Sequence, residues 1–456
     1  MVYELMHKDI VVAEIDIGDD ARINKIIDIF NLDHFPFSTV PSKKTPKDPT
    51  GLRRWWNNRR IPMSRDDLER SRGIILPEGS TTGTLLLACN GLSLSDSYWI
   101  KERGSSLSFA EVNFFENDYS YDLGDALVGK RINGKLNLSS PDTTSEGNLL
   151  KRWKIINGKR VLLKSGSKPH RYEVYNEVIA SLVCSHLGIY HVDYHLIEDD
   201  GYLYCACEDF IMYGQDFVTA YMVSEESKKA NEESLYQFIV RRYAELGVED
   251  AKKQIDKMLL LDFLLGNEDR HLNNFGLIRD AKTLRFLCCA PIFDTGSCLG
   301  YLEEDDTLAY SKPRPWKPFS SKAHPRQIDY FDELPIDTPH AILSLVSAVS
   351  SLLDTFDGMP GKRKKAILRF LSSRVSDVTK KFGIVDSMHS STNLPIIEER
   401  IVGFVLEHGG RLQNAEELCS SLGISKITSL RHINALVRLR KLRRVGSKKT
   451  GYWELV

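Results

Sequence analysis

At 456 residues, with 42% hydrophobic and 27% charged side chains and a formal net charge of −1, the chain is too long for one core and too apolar for wholesale disorder. Its balanced charge excludes a uniformly basic or acidic surface, so any charged partner must be read from local runs. No apolar run approaches the roughly 20 residues of a bilayer-spanning helix. The first residues lack the order of a signal peptide, and eight cysteines scattered without paired spacing read as reduced thiols of a cytoplasmic protein with no membrane partner. A metal site at Cys288, Cys289 and Cys298 is a minor alternative, because no pair of spaced pairs supports it.

Residues 1–124 read as an accessory region of unclear fold. The apolar spacing of Ile23 to Phe30 predicts a helix. Trp55 and Trp56 lie in a basic, proline-containing stretch and read as anchors of a solvated loop, in preference to contacts with a phosphate backbone.

From about residue 125 the pattern sharpens. Arg152–Ile156 and Lys159–Lys164 are strand-like and are joined by Asn157-Gly158, a two-residue hairpin signal that leaves Lys164 at a strand end. His170–Leu187 has helical apolar spacing and stops at Gly188. A second hairpin spans Val192–Ile197 and Tyr202–Phe210. Mainly helical segments then run to about 385, including 249–265, 340–356 and 361–382. A β-rich lobe (125–210) followed by a helical lobe (211–385) is predicted, an α+β arrangement.

The helix 249–265 ends in Gly266-Asn267-Glu268-Asp269-Arg270-His271-Leu272-Asn273-Asn274-Phe275, and Pro291-Ile292-Phe293-Asp294-Thr295-Gly296-Ser297 follows. Phosphoryl transfer needs a carboxylate to orient and deprotonate the attacking hydroxyl, and an amide and a second carboxylate to hold magnesium against the nucleotide phosphates. Asp269 with Asn274 five positions on has that catalytic-loop spacing, and Asp294 ends a β-like run. The competing reading, in which Asp269, Asn274 and His271 merely cap a helix and satisfy a tight loop, accounts for most isolated polar clusters. It does not explain three elements in the correct order.

These two segments resemble the HipA-like kinases, a bacterial branch of the protein-kinase-like fold. The resemblance implies a two-lobed kinase domain over 125–385 using ATP and Mg2+. Asp269 is then the catalytic base, and Asn274 and Asp294 are magnesium ligands. Lys164 would pair the nucleotide phosphates, and Glu177 would ion-pair with Lys164. Glu208, Asp209 and Phe210 stand where a hinge would meet adenine. The hydroxyl-rich loop 139–148 stands where a phosphate-covering loop belongs, with Ser145 and Gly147 as nucleotide contacts and Thr143, Thr144 and Ser145 as candidate autophosphorylation sites. The resemblance also implies a protein substrate, a toxin–antitoxin setting and an antitoxin partner. A small-molecule kinase, or a nucleotide-sensing regulator without turnover, would use the same lobes.

Residues 394–456 read as helix, short helix, long helix and hairpin, the order of a winged helix-turn-helix. Nine Lys or Arg and no acidic residue lie between Ile424 and Trp453, which favours DNA as partner. Ser425, Thr428, Ser429, Arg431 and His432 are the expected groove or backbone contacts. Arg443, Arg444, Lys448 and Lys449 are the expected phosphate contacts of the wing.

Overall fold

A four-stranded antiparallel sheet of order β3-β2-β1-β4 opens the chain, with β1 Val2–His7, β2 Ile10–Ile17, β3 Ile23–Ile29 and β4 Tyr98–Glu102. The structure, a computed structural model, describes residues 1–61, 82–128, 130, 136–144, 149–308, 317–320, 327–384, 396–422, 425–438, 441–446 and 451–456. They divide into two compact units, Met1–Ile384 and Val385–Val456.

Strand β3 replaces the helix expected over Ile23–Phe30. It pairs with β2 through two register shifts, at Glu14/Ile15 and Asp16/Ile17. Each irregularity breaks the two-residue alternation, which is how β-branched isoleucines on a strand come to show three- and four-residue spacing. Against this sheet packs α1, Thr50–Asn58, with Leu52, Trp55 and Trp56 buried among Leu5, Val12, Ile15 and Ile100. Both tryptophans are therefore core residues of a helix. The described residues of this region also form the short helices α2 (Thr82–Ala88), α3 (Phe109–Val112) and α4 (Asp122–Leu127).

A second antiparallel sheet, order β5-β6-β8-β7, contains β5 Lys151–Ile156, β6 Lys159–Lys164, β7 His195–Asp199 and β8 Tyr202–Glu208. Asn157 and Gly158 both take positive φ, 52° and 77°, the turn whose twist matches its flanking strands. Between β6 and β7 runs α5, Tyr172–Leu187, ended by Gly188 at φ 63°.

The rest of the first unit is helix-rich: α6 Ala220–Glu226, α7 Leu235–Glu245, α8 Ala251–Leu265, α9 Asp305–Leu308, α10 Ala341–Asp354 and α11 Gly361–Phe382. A small sheet, order β11-β10-β9, is built from β9 Gln215–Thr219, β10 Gly276–Asp280 and β11 Phe286–Cys289. Every residue of α8 from Ile255 to Leu265 is buried, and Gly266 at φ 62° stops the helix. The polar loop 267–275 is thereby pinned between a fully packed helix and β10. Together these elements form an α+β, two-lobed fold. The N-terminal sheet is tied to it by a buried cluster in which Asp216 accepts from His7 Nε2 at 3.0 Å and Arg279 Nη2 at 2.8 Å, while Arg279 reaches Tyr98 Oη at 2.9 Å.

The second unit contains α12 Ile396–Glu407, β12 Arg411–Leu412, α13 Glu416–Leu422, α14 Lys426–Arg438, β13 Leu442–Val445 and β14 Tyr452–Leu455, with sheet order β12-β14-β13. Its core is Ile401, Val405, Leu412, Leu418, Ile433, Leu436, Leu442 and Trp453. No helix among the described residues is long and apolar enough to cross a membrane.

Candidate active site

Lys164 is the last residue of β6 and faces inward. Its Nζ donates to Glu177 Oε1 at 3.1 Å, Tyr194 Oη at 3.0 Å and Asp294 Oδ1 at 2.8 Å. All three ammonium protons are thus used, as a buried cation requires. Burial alone would lower the Lys164 pKa, but Asp294 and Glu177 outweigh it and raise the pKa well above the lysine value. Burial likewise pushes the Asp294 carboxyl upward, and Lys164 and Lys151 overcome that push to hold it well below the usual carboxylate range. Lys164 and Asp294 are therefore an ionised pair, while burial pushes the Glu177 carboxyl upward against the pull of Lys164.

Asp294 has φ 56°, a left-handed conformation that is uncommon outside glycine and is often found at functional positions. Two residues on, Gly296 lies so close to α5 that a Cβ would meet Glu173 O and Glu177 Cγ at 3.1 Å each. A side chain there would push α5 away. Glu177 also accepts the Thr295 N–H at 2.9 Å through Oε2, so one carboxylate joins Lys164 to the segment that carries Asp294.

The loop after α8 is held from beneath. Asn267 Nδ2 donates to Asp262 Oδ1 at 2.9 Å, and Asn267 Oδ1 accepts the Asp269 N–H at 3.2 Å. Arg270 is buried and donates to Asp262, to Phe293 O at 2.7 Å and to Thr295 Oγ1 at 3.0 Å. With its neighbour turned inward, the Asp269 side chain points outward and stays 53% exposed. Asn274 Nδ2 donates to the Asp269 carbonyl at 3.2 Å, leaving its Oδ1 as the atom available to a cation. An amide oxygen and a carboxylate are the hard donors that Mg2+ uses alongside phosphate oxygens and water. Among the described residues no group of three or more His, Cys, Asp or Glu is placed to hold a metal ion.

Lys164, Asn274 and Asp294 line one cleft with Asp209 and Phe210 of the segment after β8. Glu208 also borders it but is exposed and paired with Lys159 at 2.6 Å. Another part of the lining went unread in the sequence: Trp55 and Asn58 of α1, Arg59 at its C-terminal end and Ser93–Asp96 before β4 border the cleft from the N-terminal region. Sequence reading also gave no role to Tyr194 or Asp262, nor to Asn267 and Arg270, which stand in the quoted loop segment. The Asp262-to-Arg270 spacing at a helix end was the one local signal available for the last three.

Ser145 and Gly147 lie outside the described residues. Thr143 is fully buried, donating to Ser140 O at 2.9 Å and lying 2.7 Å from Cys89 Sγ, so it is not an accessible phosphoacceptor in this conformation. Thr144, half-buried, turns its hydroxyl to Leu92 O and Pro141 O.

In the second unit Ser425 caps α14 by accepting the Thr428 N–H at 3.2 Å, and Ser425 and Arg431 are exposed. Two expected contacts are corrected. Ser429 is fully buried because it shares the inner face of α14 with Ile433 and Leu436. His432 is drawn inward by Glu398 at 2.7 Å. Arg443 is exposed but paired with Glu454 at 2.6 Å, and Arg444 lies over the Trp453 ring at 4.2 Å. Lys448 and Lys449 lie outside the described residues.

The family model of the HipA-like C-terminal domain matches residues 135–342, a stretch that includes Lys164, Glu177, Asp269, Asn274 and Asp294. The chain is 28% identical over 169 residues to the serine/threonine-protein kinase CtkA of Helicobacter pylori, covering 34% of this chain and 51% of that protein. It thus spans about half the length of that relative. Among solved structures, the H. pylori proinflammatory kinase CtkA aligns at 18% identity with a TM-score of 0.38, over 51% of this chain and 90% of that one. HipA of Shewanella oneidensis MR-1, solved with HipB and its operator DNA, aligns at 13% identity with a TM-score of 0.51, over 84% of this chain and 98% of that one. Residues 135–342 thus match the HipA-like C-terminal domain, and the fold is similar to that of HipA.

Proposed function

We propose that this chain is a cytoplasmic Mg-ATP-dependent protein serine/threonine kinase of HipA-like type. The observation that carries the reading is the Lys164–Glu177–Asp294 cluster, with Lys164 and Glu177 buried and Asp294 open to the cleft that Asn274 also lines, together with an exposed Asp269 on the loop of Asn274. Lys164 binds the nucleotide phosphates, Asn274 and Asp294 hold Mg2+, and Asp209 and Phe210 border the base. Bound Mg2+ neutralises charge on the phosphates. Asp269 accepts the proton of the attacking protein hydroxyl as the new P–O bond forms. The bond to the bridging oxygen breaks, and ADP leaves with that electron pair. The N-terminal wall of the cleft, absent from a minimal two-lobed domain, limits what can enter beside the nucleotide.

The second unit has the element order of a winged helix, and we propose that its exposed basic residues bind DNA. HipA of S. oneidensis was solved with HipB and operator DNA. That precedent supports an antitoxin-type partner and a regulatory locus for this chain as well.

The test is transfer of radiolabelled γ-phosphate from ATP with Mg2+, to the chain itself and to a bacterial lysate, comparing wild type with Asp269→Ala. Label on Ser or Thr that disappears in the variant, while ATP binding persists, supports the kinase. ATP binding by both proteins with transfer by neither would leave a nucleotide-sensing regulator as the better reading.

A further inference from the structure

We propose that Lys317 is a further catalytic residue of this site, a cation that contacts the γ-phosphoryl oxygens on the acceptor side during transfer. This rests on the kinase reading above. Lys317 Nζ lies 3.8 Å from Asp269 Oδ1, and it is the cation paired with Asp269 among the described residues.

The placement is built from the core. Two residues further on, Phe319 is buried and packs against Phe275 at 5.8 Å and Tyr236 at 5.7 Å between ring centroids. Phe275 directly follows Asn274, so the anchor that fixes this part of the chain touches the loop carrying Asp269 and Asn274. The two charged ends nevertheless stay in water, 63% exposed on Lys317 and 53% on Asp269. An ion pair that open adds little to stability. Folding therefore gives no strong reason for an ammonium to be held at this point, whereas phosphoryl transfer does.

In the transfer step charge spreads over the equatorial oxygens of the moving group. Asp269 itself is an anion where further negative charge approaches. A cation beside it offsets that repulsion and meets the phosphoryl oxygens as the acceptor oxygen attacks. Lys317 neither gives nor takes a proton: the hydroxyl proton passes to Asp269, and the electron pair of the broken P–O bond leaves on ADP.

The experiment measures steady-state phosphate transfer by the full chain, with casein or the chain itself as acceptor, for wild type, Lys317→Ala and Lys317→Arg. ATP affinity is followed by fluorescence titration. Loss of one electrostatic donor to the transition state predicts a fall in kcat of about 100-fold for Lys317→Ala, unchanged ATP affinity, and partial recovery in Lys317→Arg. Transfer by Lys317→Ala at the wild-type rate overturns the proposal while leaving the kinase reading intact. Faster transfer also overturns it and makes the pair a brake on Asp269. Loss of ATP affinity in step with rate overturns it in favour of a structural role. Absence of transfer by the wild type removes the reading on which it stands.

Discussion

Arg270 and Asp262 are locked by two parallel hydrogen bonds, Nε to Oδ2 and Nη2 to Oδ1, each 3.0 Å long, with side chains only 1% and 2% exposed. The remaining guanidinium nitrogen reaches Phe293 O and Asn274 O. One buried fork therefore sets the spacing between the end of α8, the loop carrying Asp269 and the residue before Asp294. Its planar geometry suits this role in a way a lysine would not.

Replacing Arg270 by Met should leave Asp262 charged and buried with only Asn267 to satisfy it. Breaking one side of such a pair costs about 3–5 kcal/mol, so urea unfolding should show a loss of that order. The double replacement Arg270→Met with Asp262→Leu should recover part of it. A loss under about 1 kcal/mol would mean that the fork is not what holds the loop.

Glu177 bridges Lys164 and Thr295 N. In Glu177→Gln the amide oxygen can still accept the Thr295 N–H, so the fold should survive, but Lys164 loses one of its two counter-charges. We expect kcat to fall by about 10–100-fold, a cost of roughly 1.4–2.7 kcal/mol, with stability changed little. Unaltered kinetics in this variant would show that Asp294 and Tyr194 suffice to hold Lys164.

Asp209 gives a pH-dependent prediction. Burial pushes its carboxyl up to about 8, against its bond from the Ile211 N–H, and Oδ2 meets no donor among the described residues. The folded state keeps this proton to higher pH than the unfolded chain, whose Asp ionises near 4. The contribution is therefore fully present below about pH 4 and is lost as pH rises toward 8. Asp209→Asn should flatten the stability profile between those values and raise Tm most at the alkaline end. Parallel profiles for the two proteins would contradict the assignment.

Most of the proposed nucleotide site was legible because its signals are local. A Lys at a strand end, a Glu on the next helix, and an Asp, an Asn and a second Asp in short polar segments can be recognised without knowing what they touch. Its N-terminal border was not. Arg59 and Asp96 lie close to 180 residues or more before Asn274, and no spacing in one chain records that Phe217 N bonds Ser95 O at 2.8 Å. Periodicity also misled where regularity was broken, as at the register shifts beside β3. The burial of Ser429 was within reach, since positions four and seven residues on, Ile433 and Leu436, are the apolar stripe of the same helix. Local basicity outweighed helical phase in that reading.

The second unit carries the last prediction. With Ser429 and His432 turned inward and Arg443 paired, the described residues of that set left to face nucleic acid are Ser425, Thr428, Arg431 and Arg444, and Arg431 is exposed on α14. A phosphate contact is independent of sequence and releases counterions. Arg431→Ala should therefore weaken binding to specific and random duplexes alike and reduce the salt slope by about 1. Ser429→Ala should leave the slope unchanged, because its hydroxyl cannot reach a duplex without unfolding α14. Fluorescence anisotropy across a salt series distinguishes the two. A slope unaffected by Arg431→Ala, with binding retained, would move the DNA contact off α14 and onto the hairpin that carries Arg444.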